Sequence, residues 1–157
     1  MLKIQSILHP TDFSAVSYNA FQMACHLAQD YGAALHIVHV STTFEAFQGE
    51  RVWNEHPTQY LEHAWKNLQK LEWPGIVTHR YLEEGDAAEQ IVALAQRLNC
   101  EIIVMGSHGR SGLNRLLVGS VAEQVIREAH CQILIAKAAV ATTPDVRPAQ
   151  SDMHKIG

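Results

Sequence analysis

Cysteine is scarce in this sequence, and the few cysteines are not arranged for zinc binding or thiol exchange. Cys25, Cys100 and Cys131 are widely spaced, and no Cys-x-x-Cys pair occurs in the 157 residues. An odd number of scattered thiols in apolar surroundings is typical of reduced proteins of the cytosol. We therefore expect no disulfide framework, no zinc centre and a cytoplasmic location.

Long apolar runs and clusters of basic residues are also missing. The sequence has no stretch of about 18 apolar residues, which is the length needed to span a membrane. Its first residues also lack the apolar region and cleavage site of a signal peptide. The formal net charge is −4, from 12 Lys and Arg against 16 Asp and Glu. Because capture of nucleic acid depends on clustered cations, we expect a soluble protein with neither nucleic acid nor membrane as a partner.

Two widespread nucleotide-binding patterns and a histidine ligand set are absent as well. The sequence has no Gly-Lys-Ser or Gly-Lys-Thr, which excludes a P-loop hydrolase, and no Gly-x-Gly-x-x-Gly, which argues against a nicotinamide cofactor. Among the ten histidines, His36 and His39 have opposite parity on one strand and point to different faces. We therefore expect no metal site built by protein side chains.

Short runs rich in Ile and Val alternate with longer segments of helical periodicity, as in βαβ units around a parallel sheet. Thr78 and Arg80 interrupt the third run with polar side chains, so we place that strand at an edge of the sheet. The sequence thus predicts an α/β protein with strands at Ile4–Leu8, Leu35–Val40, Ile76–Leu82, Ile102–Met105 and Ile133–Ala136.

Four segments between the strands have the spacing of amphipathic helices. The first ends at Gly32, the second ends before Trp73, and the third begins at an acidic cap, Asp86. The fourth begins with a capping-box pattern, in which Ser120 and Glu123 satisfy backbone N–H groups reciprocally. The predicted buried faces are Ala20, Ala24, Leu27, Ala28 and Tyr31; Leu61, Ala64, Trp65, Leu68 and Leu71; Ile91, Leu94, Ala95 and Leu98; and Val121, Ala122, Val125, Ile126 and Ala129.

These elements fit one domain over residues 1–138, followed by a tail over residues 139–157 in which the periodicity is lost. The connection Ser41–Pro57 is long and carries Phe44, Phe47 and Trp53. It could form a lid or an adhesive surface, or its aromatic side chains could pack beneath the loop as a satellite cluster.

The segment after the fourth strand, from Gly106 to Ser120, is rich in glycine. Because glycine adopts positive φ readily, Gly106 and Gly109 would let successive N–H groups turn toward an anion. Gly119 and Ser120 lie at the predicted start of the fourth helix, where unpaired N–H groups attract phosphate. Arg110 or Arg115 could add charge-assisted hydrogen bonds. The same glycines could form an ordinary turn, and Ser120 could do no more than cap its helix.

A second polar cluster, from His9 to Ser14, follows the first strand, where a parallel sheet presents the carboxyl-end crevice that commonly binds ligands. If the strand order reverses between the first and fourth strands, Asp12 faces the Gly106 loop. Asp12 could then hydrogen-bond the amine or a hydroxyl of an adenosine. Alternatively, Asp12 is the N-cap of the first helix.

Together these segments resemble the universal stress proteins, in the branch whose nucleotide-binding pattern is Gly-x2-Gly-x9-Gly-Ser/Thr. Gly106-x2-Gly109-x9-Gly119-Ser120 matches this pattern completely, and Pro10-Thr11-Asp12-Phe13-Ser14 resembles the family's signature at the first strand. The resemblance covers roughly Lys3–Lys137. It implies an open five-stranded parallel sheet in the order 3-2-1-4-5 with helices on both faces, a Rossmann-like fold of the adenine nucleotide alpha hydrolase kind.

The resemblance also implies a ligand and a partner. The ligand is ATP, or AMP or ADP, with Mg²⁺ held mainly through the phosphates, and the assembly is a homodimer that pairs the strand Gln132–Lys137 of two copies. The glycine-rich loop also carries Arg110, which we expect to contact the phosphates through its charge. The family positions around the adenosine correspond to Pro10, Thr11, Asp12 and Val40, and those around the ribose and phosphates to Met105, Gly106, His108, Gly109, Gly119, Ser120 and Val121.

No catalytic residue set is recognisable in the sequence. Only His108 and Asp12 are candidates for orienting water against a γ-phosphate, and neither is compelling as a base. We therefore expect a nucleotide-binding regulatory module of the stress response that acts on an unidentified protein partner. The alternatives are a slow ATPase or nucleotide-transferring enzyme, and a dimeric interaction protein that does not depend on nucleotide.

Overall fold

The computed structural model describes residues 3–42, 57–108 and 118–137. Within these ranges strands and helices alternate, numbered in chain order. They are β1 (Ser6–Pro10), α1 (Ala15–Tyr31), β2 (Ala34–Ser41), α2 (Pro57–Gln69), β3 (Thr78–Glu84), α3 (Ala87–Arg97), β4 (Ile102–Gly106), α4 (Ser120–Glu128) and β5 (Gln132–Ala136). The aromatic residues of the connection after β2 and the predicted tail lie outside the described residues, so the predictions for them stay predictions.

All five strands form one parallel sheet in the order β3-β2-β1-β4-β5, which confirms the predicted fold and strand order. The chain proceeds from β1 to β2 and β3 on one side, and then crosses to β4 and β5 on the other. The reversal therefore falls between β1 and β4, where an α/β sheet opens a crevice. β3 lies at an edge, as its polar residues indicated.

Helices cover both faces of the sheet and bury two apolar layers. Because successive strand residues point to opposite faces, Ile7 belongs to one layer and Leu8 to the other. The first layer includes Phe21 of α1 and Leu68 of α2. The second includes Leu94 of α3 together with residues of α4. Burial on both faces explains why the central strands are apolar without alternation.

β1 and β3 begin two residues later than predicted. At β1, the backbone N–H groups of Gln5 and Ser6 donate to the carboxylate of Glu101, at 3.1 and 2.8 Å. At β3, the strand is preceded by a turn that contains Gly75, whose φ is +84°. In both segments the apolar residues thus begin two residues before the backbone becomes a strand.

Some helical residues assigned to buried faces are exposed. Tyr31 and Trp65 are 46% and 40% exposed, and Val121 and Ile126 are 38% and 49% exposed. Each helix contacts the sheet through a stripe narrower than its full run of apolar residues. The prediction of buried faces was therefore wrong at these four positions.

Arg80 explains why the edge strand tolerates a charge facing the protein. Its Nε atom donates to the carbonyl of Leu68 at 2.9 Å, and its terminal nitrogen donates to the carbonyl of Leu71 at 2.7 Å. The last carbonyls of a helix have no partner within the helix. The guanidinium of Arg80 therefore satisfies the carboxyl end of α2 and ties it to β3.

Candidate functional site

The crevice at the carboxyl ends of the strands opens between β1 and β4. These two strands pair only through Ile7–Ile102 and Leu8–Ile103, whereas β1 and β2 pair over five positions. One residue beyond the last pair, Nδ1 of His9 donates to the carbonyl of Val104 at 2.9 Å. A side chain thus replaces the backbone ladder where the two strands separate.

His9 is a neutral, fully buried group beneath this crevice. Its side chain is 0% exposed and lies against the ring of Phe21, at a centroid distance of 5.8 Å. Burial lowers its pKa to about 4, and the hydrogen bond to Val104 and the charge of Asp12 oppose this shift only in part. Its Nε2 atom has no hydrogen-bond partner among the described residues.

The turn from β1 to α1 is held by its own side chains. The hydroxyl oxygen of Thr11 accepts from the N–H of Phe13 at 3.1 Å and from the hydroxyl of Ser17 at 2.8 Å. Oδ1 of Asp12 accepts from the N–H of Ser14 at 2.9 Å. Phe13 has a φ of +63°, a left-handed conformation that is costly for a bulky residue. The turn is therefore fixed in a conformation that local preferences alone would not select.

The N-cap of α1 is Ser14, whose hydroxyl accepts from the N–H of Ser17 at 3.2 Å. The alternative that Asp12 is this cap is therefore wrong. Asp12 lies two residues earlier and makes a local turn with Ser14. Its position remains the one expected for a residue at the rim of the crevice.

His39 of β2 is a site residue that sequence reasoning missed. Its Nδ1 donates to the main-chain carbonyl of Thr11 at 2.8 Å, and its Nε2 lies 3.3 Å from the hydroxyl of Tyr60 on α2. Its ring lies 4.7 Å from the ring of Phe13. The only signal in the sequence was a histidine within a strongly apolar strand.

Gly106 ends β4, but its backbone does not adopt the predicted positive φ, which in the described residues occurs only at Gly32, Gly75 and Gly85 among the glycines. The reason for glycine is instead close packing. A Cβ at Gly106 would lie 3.0 Å from Cγ1 of Val16 on α1. The prediction of a turn-forming Gly106 was therefore wrong, since the residue allows α1 to approach β4.

The N-cap of α4 is Gly119, with φ −64° and ψ 160°, and no side chain of the described residues caps the helix. The predicted capping box is therefore wrong, because Ser120 is already the first helical residue and cannot act as the cap. The backbone N–H of Glu123 bonds to the carbonyl of Gly119 at 2.9 Å, an ordinary helical contact. α1 and α3, by contrast, carry side-chain caps from Ser14 and Asp86.

Ser107 connects the end of β4 to the start of α4. Its carbonyl accepts from the N–H of Gly119 at 2.6 Å, and its hydroxyl lies 2.9 Å from Nδ1 of His108. Nε2 of His108 is buried and has no partner among the described residues. The backbone next to His108, whose imidazole nitrogen is unsatisfied, is therefore hydrogen-bonded to the start of α4. Gly109 and Arg110 lie outside the described residues.

The remaining predicted contacts lie near the carboxyl ends of β1, β2 and β4 or in the first turn of α4. Pro10 ends β1 and is buried. Val40 of β2 and Met105 of β4 are 8% and 6% exposed. Val121, in the first turn of α4, is 38% exposed. The described residues thus bring together the carboxyl ends of three neighbouring strands and the start of one helix.

The described residues also bear on metal binding and on membrane insertion. They contain no group of three or more His, Cys, Asp or Glu side chains arranged to hold a metal ion. None of the helices within those ranges is long and apolar enough to cross a membrane.

The sequence model of the universal stress protein family matches residues 3–137. This chain belongs to the universal stress protein family. A curated member, universal stress protein MJ0531 of Methanocaldococcus jannaschii, is 38% identical over 141 residues, which cover 85% of this chain and 82% of the relative.

Solved structures of the family share this fold. The structure of MJ0577, a universal stress protein of the same organism, aligns with a TM-score of 0.78 and 27% identity, over 89% of this chain and 100% of that one. A universal stress protein in complex with cAMP aligns with a TM-score of 0.61 and 21% identity, over 88% of this chain and 100% of that one. The latter identity supports the fold alone.

Proposed function

We propose that this universal stress protein is a regulatory module that binds an adenine nucleotide, ATP, ADP or AMP, in the crevice between β1 and β4. The observation that carries the proposal is the uncapped start of α4 beside an unsatisfied nitrogen of His108. Both are polar groups that a phosphate would satisfy. A relative of the same fold has been solved with cAMP, which is also an adenine nucleotide.

The phosphates would lie at the start of α4. The N–H groups of the first helical turn, which no side chain of the described residues caps, and the positive end of the helix dipole favour an anion there. When the Ser107 hydroxyl donates to Nδ1 of His108, the proton of the imidazole resides on Nε2, which then donates to a phosphate oxygen. Gly119, Ser120 and Val121 supply the helix end, and Gly106, Gly109 and Arg110 are proposed from the matched glycine pattern.

The adenosine would lie toward β1 and β2. Buried Pro10, Val40 and Met105 offer apolar surface to the base and ribose. Asp12 supplies a carboxylate that could accept from an amine or a hydroxyl, and the hydroxyl proton of Thr11 remains to be donated because its oxygen accepts two hydrogen bonds. Mg²⁺ would be held mainly by the phosphates and water, as is usual for this ion with nucleotides.

The proposal assigns binding and not efficient catalysis. Hydrolysis needs a base that orients water, and His108 and Asp12 remain the candidates. The proposed role for Nε2 of His108 is to donate to phosphate, which is incompatible with accepting a proton from water in the same state. Any slow hydrolysis of ATP is detected as phosphate release from the same preparation that is used to measure binding.

The first experiment identifies any nucleotide that copurifies. The protein is purified without added nucleotide and denatured, and the released small molecules are identified by mass spectrometry. We expect an adenine nucleotide, and a rise in melting temperature when excess MgATP is added to nucleotide-free protein. The absence of both results contradicts the proposal.

A charge variant tests the position of the phosphates. Ser120→Asp places a carboxylate in the first turn of α4, where it is compatible with the helix dipole but repels phosphate. Ser120→Asn has the same size and no charge, and is the matched control. We expect Ser120→Asp to weaken MgATP binding by about tenfold or more while both variants unfold at similar urea concentrations.

We further propose that the protein is cytoplasmic and that nucleotide occupancy alters a surface used by a protein partner. We also propose that two copies of the chain pair through β5. β5 is the second edge of the sheet and has three consecutive half-buried apolar residues, Ile133, Leu134 and Ile135. Pairing would cover this edge, which is otherwise open to aggregation. Sedimentation equilibrium tests the dimer, and a monomer at all concentrations contradicts it.

A further inference from the structure

Two histidines face each other on neighbouring strands, outside the nucleotide crevice. His36 of β2 lies directly opposite His79 of β3 in the parallel register. Their rings are stacked, with centroids 5.1 Å apart and planes inclined by 17°. The two residues are distant in sequence, so only the register of the sheet brings the imidazoles together.

Tyr81 orients one of these rings. Its hydroxyl lies 3.1 Å from Nδ1 of His36, and the two ring centroids are 5.7 Å apart. Tyr81 is two residues beyond His79 on β3 and so points to the same face of the sheet. When Nδ1 of His36 donates to this hydroxyl, Nε2 presents a lone pair. A polar neighbour on the second nitrogen is typical of histidines that bind metals.

One imidazole of the pair is buried and held in place, and the other is accessible to solvent. His36 is 9% exposed, whereas His79 is on the exposed edge strand. β2 and β3 are paired without interruption from Leu35–Thr78 to Ser41–Glu84. The backbones that carry both imidazoles are therefore held in register. The exposed ring of His79 can turn out of the stacked arrangement, so that its in-plane lone pair meets an ion bound to His36.

We propose that His36 and His79 bind one divalent transition-metal ion, of the Ni²⁺, Cu²⁺ and Zn²⁺ group, through their imidazole nitrogens. Neutral imidazole suits these ions, whereas Mg²⁺ and Ca²⁺ prefer oxygen ligands. No third His, Cys, Asp or Glu joins the pair within the described ranges, so water completes the coordination. Such an open site exchanges its ion and differs from a structural zinc centre.

The test titrates the full, metal-free chain with Cu²⁺ and with Zn²⁺ in the absence of nucleotide, using calorimetry. We expect one ion per chain and tighter binding of Cu²⁺ than of Zn²⁺, with no heat from Mg²⁺ at the same concentrations. His36→Gln and His79→Gln should each weaken binding by about tenfold or more, and Tyr81→Phe by about tenfold. His63→Gln, at an exposed position on α2, is the matched control and should bind as the unaltered chain does.

His79→Gln keeps the test valid if His36→Gln does not fold, because His79 is exposed. Electron paramagnetic resonance of the Cu²⁺ complex should show two coupled imidazole nitrogens, and one in the His79→Gln variant. Unchanged affinity in folded His79→Gln, or equal loss in His63→Gln, overturns the proposal. Because no nucleotide is present, neither result bears on the nucleotide site.

Discussion

Nδ1 of His39 donates a hydrogen bond to the main-chain carbonyl of Thr11 across 2.8 Å. This contact joins β2 to the turn in which Thr11 and Asp12 are proposed to contact the adenosine. The same ring reaches the hydroxyl of Tyr60 on α2, at 3.3 Å. A buried imidazole therefore sets the position of a turn whose backbone is strained at Phe13.

Replacing His39 should weaken nucleotide binding when the replacement no longer donates a hydrogen bond to the carbonyl of Thr11. In His39→Gln the amide nitrogen is displaced from the Nδ1 position, and the buried carbonyl of Thr11 loses its donor, at a cost of about 1–3 kcal/mol. His39→Asn keeps an amide nitrogen near that position and is the matched control. MgATP titration should show a larger rise in Kd for His39→Gln than for His39→Asn. Equal Kd values in the two folded variants contradict this prediction.

Gly106→Ala should destabilise the protein through a contact between α1 and β4. The new Cβ lies 3.0 Å from Cγ1 of Val16, and such overpacking costs about 1–3 kcal/mol. Val16→Ala removes that methyl group. In a double-mutant cycle measured by urea unfolding, we expect Gly106→Ala to cost less in the Val16→Ala background. Additive effects would show that the glycine is needed for another reason.

Acidification should remove stability that depends on His9. Its pKa is lowered from 6.5 to about 4 in the folded protein, so the unfolded chain binds a proton first as the pH falls. The contribution of neutral His9 to the free energy of unfolding is fully present above pH 6.5. It is lost as the pH falls from 6.5 to about 4, and the total loss is roughly 3 kcal/mol. The pKa of His36 is also lowered by burial, and this adds loss in the same direction.

A His9→Asn variant separates this contribution from the rest. Asparagine does not titrate, and its amide nitrogen can approach the carbonyl of Val104. The free energy of unfolding, measured in urea at pH 7 and at pH 4.5, should fall less in His9→Asn than in the unaltered chain. Parallel pH profiles would assign the acid sensitivity to other groups.

Arg80→Met should be much more damaging than Arg97→Met. Arg80 is half-buried and donates to the carbonyl of Leu68 in α2 and to that of Leu71 just beyond the helix. The Leu68 carbonyl also accepts from the N–H of Leu71, so the loss of about 1–3 kcal/mol that we expect comes mainly from the Leu71 carbonyl. Arg97 pairs with Glu83 at 2.9 Å, but its side chain is 61% exposed. Such surface pairs contribute about 0–1 kcal/mol. Urea unfolding of both variants measures the difference, and equal losses contradict the assignment to α2.

The fold could be predicted from the sequence because its signals are local. Runs of Ile and Val flanked by helical periodicity specify a parallel sheet, and Thr78 and Arg80 correctly marked the edge strand. Strand boundaries were less predictable. The Glu101 carboxylate that takes up the N–H groups of Gln5 and Ser6 comes from a segment far along the chain.

The site was predicted in outline but not in its physical causes. Gly106 was assigned to a turn, yet glycine is needed there for the distance between α1 and β4. The capping box was assigned one residue too late, because a Ser-x-x-Glu pattern does not reveal where the helical backbone begins. The roles of His39 and His79 depend on strand register, which a single sequence does not encode in any local pattern.

The missing cap of α4 links the proposed ligand to the lifetime of the protein. A glycine N-cap costs a helix only about a few tenths of a kcal/mol relative to a capping side chain, and a bound phosphate would restore that amount and more. Local opening near Gly119, and cleavage by proteases that capture the opened state, would then slow as the cellular nucleotide concentration rises. With a phosphate bound at this position as proposed, the abundance of the protein would follow the energy state of the cell.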